Sequence, residues 1–397
     1  MTSSTLGVAV ADIAYPLAIL AMTGSPSRAG LFAAVQAIAM LAAGLPAGSL
    51  ADRFDPRTIV LVTEAGRVVV TVVVVLALVG GWLSLPLLLA AGALLGIGQA
   101  ICATARMLLL RSVVPDGQLT GALAQDQVRT NGAAMAGPAV GGALYAVRAL
   151  AHAVPFVFTA ASFALALATT ALLPAREKPQ PQSDDQHPDD QAAGADPVRG
   201  GMLAGVRVLW EHPVLRAAMI LIMIVNTLGA GLDLIVIVLL RHQSVPSTEI
   251  GLALGAGYAG GIAGIPVIKI AHRLRPGVML LTICLIVVPV LALLAVPLGP
   301  WWVAGLLFVA LLGIPSVQVA MDTLVIRQAP DAQRGRVAAA FMTLIALGLP
   351  IGLAGCGLLL RYVPAQAALL TLAAILAAGV AYSATKRELW HALWPAS

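Results

Sequence analysis

Short basic connectors between apolar runs of membrane-spanning length constrain this chain more than any other feature. The runs lie near 5–22, 29–50, 58–79, 84–109, 119–146, 153–174, 214–240, 248–270, 277–298, 301–326, 337–360 and 364–384. A helix needs roughly 20 such residues to cross a bilayer. In lipid every backbone polar group must pair within the protein, which leaves helices or closed barrels. Barrel strands are segments of about ten alternating residues, whereas these runs are longer and continuous. The expected fold class is an all-α membrane protein with twelve transmembrane helices. Composition agrees: 60% of the 397 residues are hydrophobic and 10% charged, with a mean hydropathy of +0.95. A soluble domain carries about a quarter charged residues.

The formal net charge of +5 raises nucleic acid as a partner, but the placement of the charges answers otherwise. Connectors on one side hold Arg53, Arg57, Arg106, Arg111, Arg176, Lys178, Arg199, Arg207, Arg216, Lys269, Arg273, Arg275, Arg327, Arg334, Arg336, Lys386 and Arg387. The other side holds Arg28, Arg148, Arg241 and Arg361. This asymmetry follows the positive-inside rule, so a multi-pass protein of the cell membrane with both termini cytoplasmic is expected. Cys102, Cys284 and Cys356 fall inside spans without metal or pairing spacing and read as small apolar residues. The six histidines lie in loops or at span ends, so neither a metal nor a haem ligand pair is expected. No Gly-rich loop with Lys-Ser/Thr cradles a phosphate, which excludes ATP-driven transport by this chain. Neither an enzyme nor a cofactor is expected.

Between Pro174 and Arg199 the run Arg-Glu-Lys-Pro-Gln-Pro-Gln-Ser-Asp-Asp-Gln-His-Pro-Asp-Asp-Gln has the composition of a disordered linker. It divides the chain into a six-helix half over 1–174, a cytoplasmic linker over 175–213 and a second half over 214–397. The end of the linker, Gly201–Leu215, reads equally as a surface helix or as the start of helix 7. The halves share a pattern: Arg111 then Pro115-Asp116-Gly117-Gln118 matches Arg327 then Pro330-Asp331-Ala332-Gln333. Likewise Leu6-Gly7 before Asp12 matches Leu228-Gly229 before Asp233. Parallel repeats of this kind place substrate near the midplane between them.

An ionisable side chain within a span costs roughly 2.5–3.5 kcal/mol on insertion scales, so it is kept inside the bundle. Asp12 and Asp233 are therefore the candidates to bind protons or a cationic substrate, against the plainer reading of acids satisfied by a neighbouring polar group. Asn226 and Gln318, with Tyr258, Gln99 and Asn131, are the polar candidates around them. Glu64 with Arg67, and Asp126 with Arg129, are three residues apart on one helix face and read as self-neutralising pairs. Arg106 and Asp322, one turn from the cytoplasmic end, read as gating or structural groups.

The segment Gly48-Ser-Leu-Ala-Asp52-Arg53-Phe-Asp-Pro-Arg57 resembles the loop between helices 2 and 3 of the major facilitator superfamily. There the pattern is Gly-x-x-x-Asp-Arg/Lys-x-Gly-Arg/Lys-Arg/Lys; Asp55 replaces its second glycine and Pro56 one basic residue. The resemblance implies a conformational latch of Gly48, Asp52, Arg53 and Arg57, with Arg106 as a basic partner for Asp52. Gly137-Pro138-Ala-Val-Gly141-Gly142 resembles the Gly-Pro-x-x-Gly-Gly signature of the superfamily's exporters, and implies close packing of helix 5. The helix 4 arginine of other members is Gly92 here, four residues before Gly96. With Tyr15-Pro16-Leu17, Val114-Pro115 and Arg334-Gly335-Arg336, the chain looks like the secretion-effector branch, which includes siderophore and macrolide exporters. The implied function is proton-driven export of an amphipathic small molecule by a monomer in membrane lipid. The alternatives are a nutrient or metabolite importer of the same fold, or a non-transporting membrane sensor.

Overall fold

The computed structural model describes residues 2–114, 116–147, 152–172, 210, 213–268, 274–319, 334–386 and 390. Twelve helices account for nearly all of them: α1 Thr2–Thr23, α2 Pro26–Arg53, α3 Pro56–Val79, α4 Leu85–Val113, α5 Asp116–Ala146, α6 Val154–Ala171, α7 Pro213–His242, α8 Ser247–Ala263, α9 Pro276–Leu294, α10 Pro300–Leu312, α11 Arg334–Tyr362 and α12 Ala365–Ala384. No strand occurs among the described residues. Ten candidate spans have the length and apolarity to cross a membrane. The other two helices are α5, which is rich in polar residues and glycine, and α8, which is 17 residues long. The chain is an all-α multi-pass membrane protein.

Several helices begin where the chemistry dictates. Proline stands in the first turn of α2, α3, α4, α6, α9 and α10, where its missing N–H costs nothing. Asp55 caps α3, its Oδ2 accepting from Thr58 N at 3.0 Å and Thr58 Oγ1 at 3.1 Å. The turn expected over 48–57 is accordingly shorter: Gly48, Asp52 and Arg53 belong to the last turns of α2, Arg57 to the first of α3, and only Phe54 and Asp55 lie between. The span expected to reach 270 stops at Ala263, because Gly264 and Pro266 turn the chain. A Cβ at Gly264 would run into the Leu312 carbonyl. The run expected over 301–326 breaks at Gly313 and resumes as helix over 314–319.

Helices α1–α6 pack among themselves, as do α7–α12, and the two sets meet mainly through α2 against α11 and α5 against α8. Both seams rest on glycine. An added Cβ at Gly30 would stand 2.7 Å from Gly357 Cα, and one at Gly142 would stand 3.0 Å from Gly251 Cα and strike the Ser247 carbonyl. All four glycines lie toward the end at which α1 leads to α2, α5 to α6, α7 to α8 and α11 to α12. Toward the other end, Gly44 and Gly48 of α2 and Gly121 and Gly132 of α5 would point a Cβ at open space. Residues 173–209, which include the expected linker, and 320–333, which include Asp322 and the Pro330-Asp331 repeat element, lie outside the described residues.

Candidate functional site

Asp12 and Asp233 stand at nearly the same depth. Counting about 1.5 Å per helical residue, Asp12 lies about 16 Å below the end of α1 at Thr23, and Asp233 about 14 Å below the end of α7 at His242. Asp12 is exposed and Asp233 part-exposed, and the two lie within electrostatic range of one another. Each set of six helices thus contributes one acid at this level.

Local sequence shapes both positions. Pro16, four residues after Asp12, has no N–H, so the Asp12 carbonyl lacks its usual helical donor. Tyr15, next to that proline, is 1% exposed, its ring stacked on Phe32 at 4.6 Å and tilted on Phe156 at 4.9 Å. The Tyr15 hydroxyl is buried without a hydrogen-bond partner. In the other set, Tyr258 of α8 donates its hydroxyl to Asp233 Oδ2 at 2.9 Å, which holds the acid in one orientation.

The other polar candidates do not join them. Asn226 donates Nδ2 to its own helix at Ile222 O, 3.1 Å away. Gln318 is exposed in the 314–319 helix, about 27 Å along from Pro300 and thus well below the level of the acids. Neither is brought to Asp12 or Asp233.

Around the 54–55 connector, Arg57 donates to Ala171 O at 2.8 Å and Thr170 O at 3.4 Å. It therefore satisfies the carbonyls at the end of α6, where a cation is favoured by the helix dipole. Arg53 is exposed, and the Asp52 side chain lies outside the described residues. Arg106, the expected partner of Asp52, donates to Thr5 Oγ1 at 3.3 Å and to Glu64 Oε1 at 3.5 Å. Glu64 and Arg67 do pair, at 3.4 Å, but the pair is not self-neutralising as expected, because Arg106 joins it as a second cation. The i, i+3 spacing shows one pair on one helix. The reach of Arg106 from α4 to α3 has no signature in the sequence.

The export-type signature of α5 works on two neighbours at once. A Cβ at Gly137 would strike Ala9 Cβ and stand 2.9 Å from the Ala9 carbonyl carbon; at Gly141 it would stand 3.0 Å from Val10 O. These residues seat α5 on α1, directly below Asp12. Gly142 and Pro138 face the other way, onto Ser247 and Gly251 of α8. At Gly92, the place of the helix 4 arginine, a Cβ would stand 2.7 Å from the Phe32 ring. The seam between α2 and α4 has no room for a long side chain there.

The family model of the Major Facilitator Superfamily matches residues 1–353. The chain is similar to the multidrug efflux pump Tap of Mycobacterium tuberculosis (strain ATCC 25618 / H37Rv), 25% identical over 362 residues, covering 87% of this chain and 82% of Tap. It is also similar to the enterobactin exporter EntS of Shigella boydii serotype 18, 26% identical over 347 residues, covering 84% and 77%. In fold it resembles an inward-facing, occupied bacterial homologue of the human lysosomal transporter Spinster, with a TM-score of 0.73, 16% identity and coverage of 100% and 96%.

Proposed function

The chain belongs to the Major Facilitator Superfamily, and on that premise we propose that it is a secondary active exporter of an amphipathic small molecule, driven by proton antiport through alternating access. One observation carries the reading: Asp12 and Asp233, one from each set of six helices, stand at nearly the same depth within electrostatic range of one another. A carboxylate kept within a membrane bundle is expensive unless it is used. We place the substrate path between them, where two acids suit protons and the cationic or hydrogen-bonding part of an amphiphile. The similarity to Tap and EntS, an efflux pump and an exporter by name, supports the outward direction.

The two sets are taken as parallel six-helix repeats, 1–174 and 214–397, that rock about the acids. The glycine seams are closed at one end, and on the proposed mechanism the cavity opens toward the other, basic end. By the positive-inside rule that end is cytoplasmic, together with both termini, and the membrane is the cell membrane. In the opposite state the α2 and α11 ends and the α5 and α8 ends close at the basic side. Gly48, Asp52, Arg53 and Arg57 then form the latch, and the protein works as a monomer.

The test uses purified protein in liposomes with an imposed pH gradient and a fluorescent amphiphile. Asp233→Asn should abolish gradient-driven accumulation while leaving equilibrative movement of the substrate. A variant that still builds a gradient moves the coupling to Asp12, and full accumulation in both Asp233→Asn and Asp12→Asn ends the antiport mechanism.

A further inference from the structure

At the closed end of the bundle, a cleft of about 510 Å³ lies between the two sets of helices. Gly24, Ser25 and Pro26 wall it from the first set, and Arg241, His242 and Arg361 from the second. Sites for small ligands have about 300–1,000 Å³, so the cleft has room for a phosphate or a lipid headgroup. Its charge is of one sign. No carboxylate lines it, and among the described residues none of its three basic side chains forms an ion pair. Glu249, in the first turn of α8, is the described acid placed at this end, and it is not part of the wall. All three basic side chains are exposed, so a ligand from solution can reach them.

Arg241 and His242 stand in the last turn of α7 and Arg361 in the last turn of α11. The plainer role for cations there is to offset the negative ends of those helices. Arg241 departs from it: Nη1 leaves its own helix and donates to Leu17 O of α1 at 3.1 Å, across the seam between the sets. Arg361 lies with its Cζ 5.7 Å from the Tyr362 ring, and among the described residues no hydrogen bond engages its guanidinium. Two helices also begin at the cleft, α2 after Ser25 and α12 after Pro364, and neither cap residue gives a side-chain hydrogen bond to the helix it starts. The first N–H groups of a helix and its dipole both favour an anion.

We propose that this cleft binds an anion of the phosphate class, gripped by Arg241 and Arg361, either as a soluble phosphate or as the headgroup of an anionic lipid. A guanidinium presents paired N–H donors that match the oxygens of such a group. Because the walls come from both sets, the site is complete only while this end of the bundle is closed. Binding here does not depend on what the protein transports, so its test stands apart from the transport assay.

The experiment takes the full chain, delipidated in a neutral detergent, and titrates inorganic phosphate by calorimetry at constant ionic strength set with chloride. In a second arm the protein is placed in phosphatidylcholine nanodiscs with or without phosphatidylglycerol, and native mass spectrometry counts the phosphatidylglycerol that it retains. Saturable binding in the first arm assigns the soluble anion, and retention in the second assigns the headgroup. Arg361→Gln should weaken whichever is bound by about tenfold, the loss of one charge-assisted hydrogen bond. Arg241→Gln should do the same, and it carries the test if Arg361→Gln does not accumulate. Arg28→Gln removes an exposed cation at the same end that is not part of the wall, and it should bind like the parent. Binding in neither arm, binding unchanged by the Arg361 and Arg241 variants, or equal weakening by Arg28→Gln overturns the proposal.

Discussion

Gly142→Ala tests whether the seam between α5 and α8 sets the balance between conformations. Its new methyl group would strike the Ser247 carbonyl and stand 3.0 Å from Gly251 Cα and 3.1 Å from Gly251 N. Carbon atoms rest at about 3.5–4.0 Å, and the atoms met are backbone, so no rotamer change relieves the contact. The helices must separate by several tenths of an ångström, and overpacking of this kind costs about 1–3 kcal/mol. The substitution also stabilises α5 as a helix by roughly 0.5–1 kcal/mol, but that gain is common to every state in which α5 is helical. The steric term falls only on the state with this seam closed. A shift of about 2 kcal/mol changes the ratio of the two states about thirtyfold.

Spin labels at Met22→Cys on α1 and Tyr362→Cys on α11, both exposed at the closed end, would report the separation there. The native cysteines Cys102, Cys284 and Cys356 are all buried and leave the labels distinct. The variant should show a longer-distance population that the parent lacks. Gly44→Ala, whose methyl group meets nothing, should match the parent. Identical distance distributions for Gly142→Ala and the parent, at normal expression, would refute the steric argument.

Three further outcomes are expected. Asp52→Asn should impair transport in liposomes while insertion and expression stay near normal, and normal flux would reject the latch. Gly137→Leu should lower activity severely, because the larger side chain must enter the backbone of α1 beside Ala9; retained activity would remove the packing basis of the export signature. Tyr258→Phe should weaken proton-driven transport without loss of protein, since it removes one hydrogen bond to Asp233, worth about 1.5–3 kcal/mol for a charged acceptor; unchanged kinetics would mean that this bond does not orient the acid.

Much of the molecule was legible in the chain because lipid imposes its own rules. A solvent that cannot hydrogen-bond forces long apolar helices, so the twelve runs and the two mid-span acids could be read without any contact being known. Glycines at 137, 141 and 142 could be read as close packing, because a missing side chain serves few other purposes at that depth. What packs on what could not be read. That Gly137 and Gly141 face α1 while Gly142 faces α8, that Tyr258 finds Asp233, and that Asp55 rather than Asp52 caps α3 depend on helix rotation and on neighbours distant in sequence. The cluster of Glu64, Arg67 and Arg106 makes the point most sharply. Glu64 and Arg67 look balanced when one helix is read alone, and only the crossing of α4 over α3 brings Arg106 to the same carboxylate. Helical periodicity assigns a residue to a face of its own helix. Which partner that face meets is decided by how the helices pack against one another.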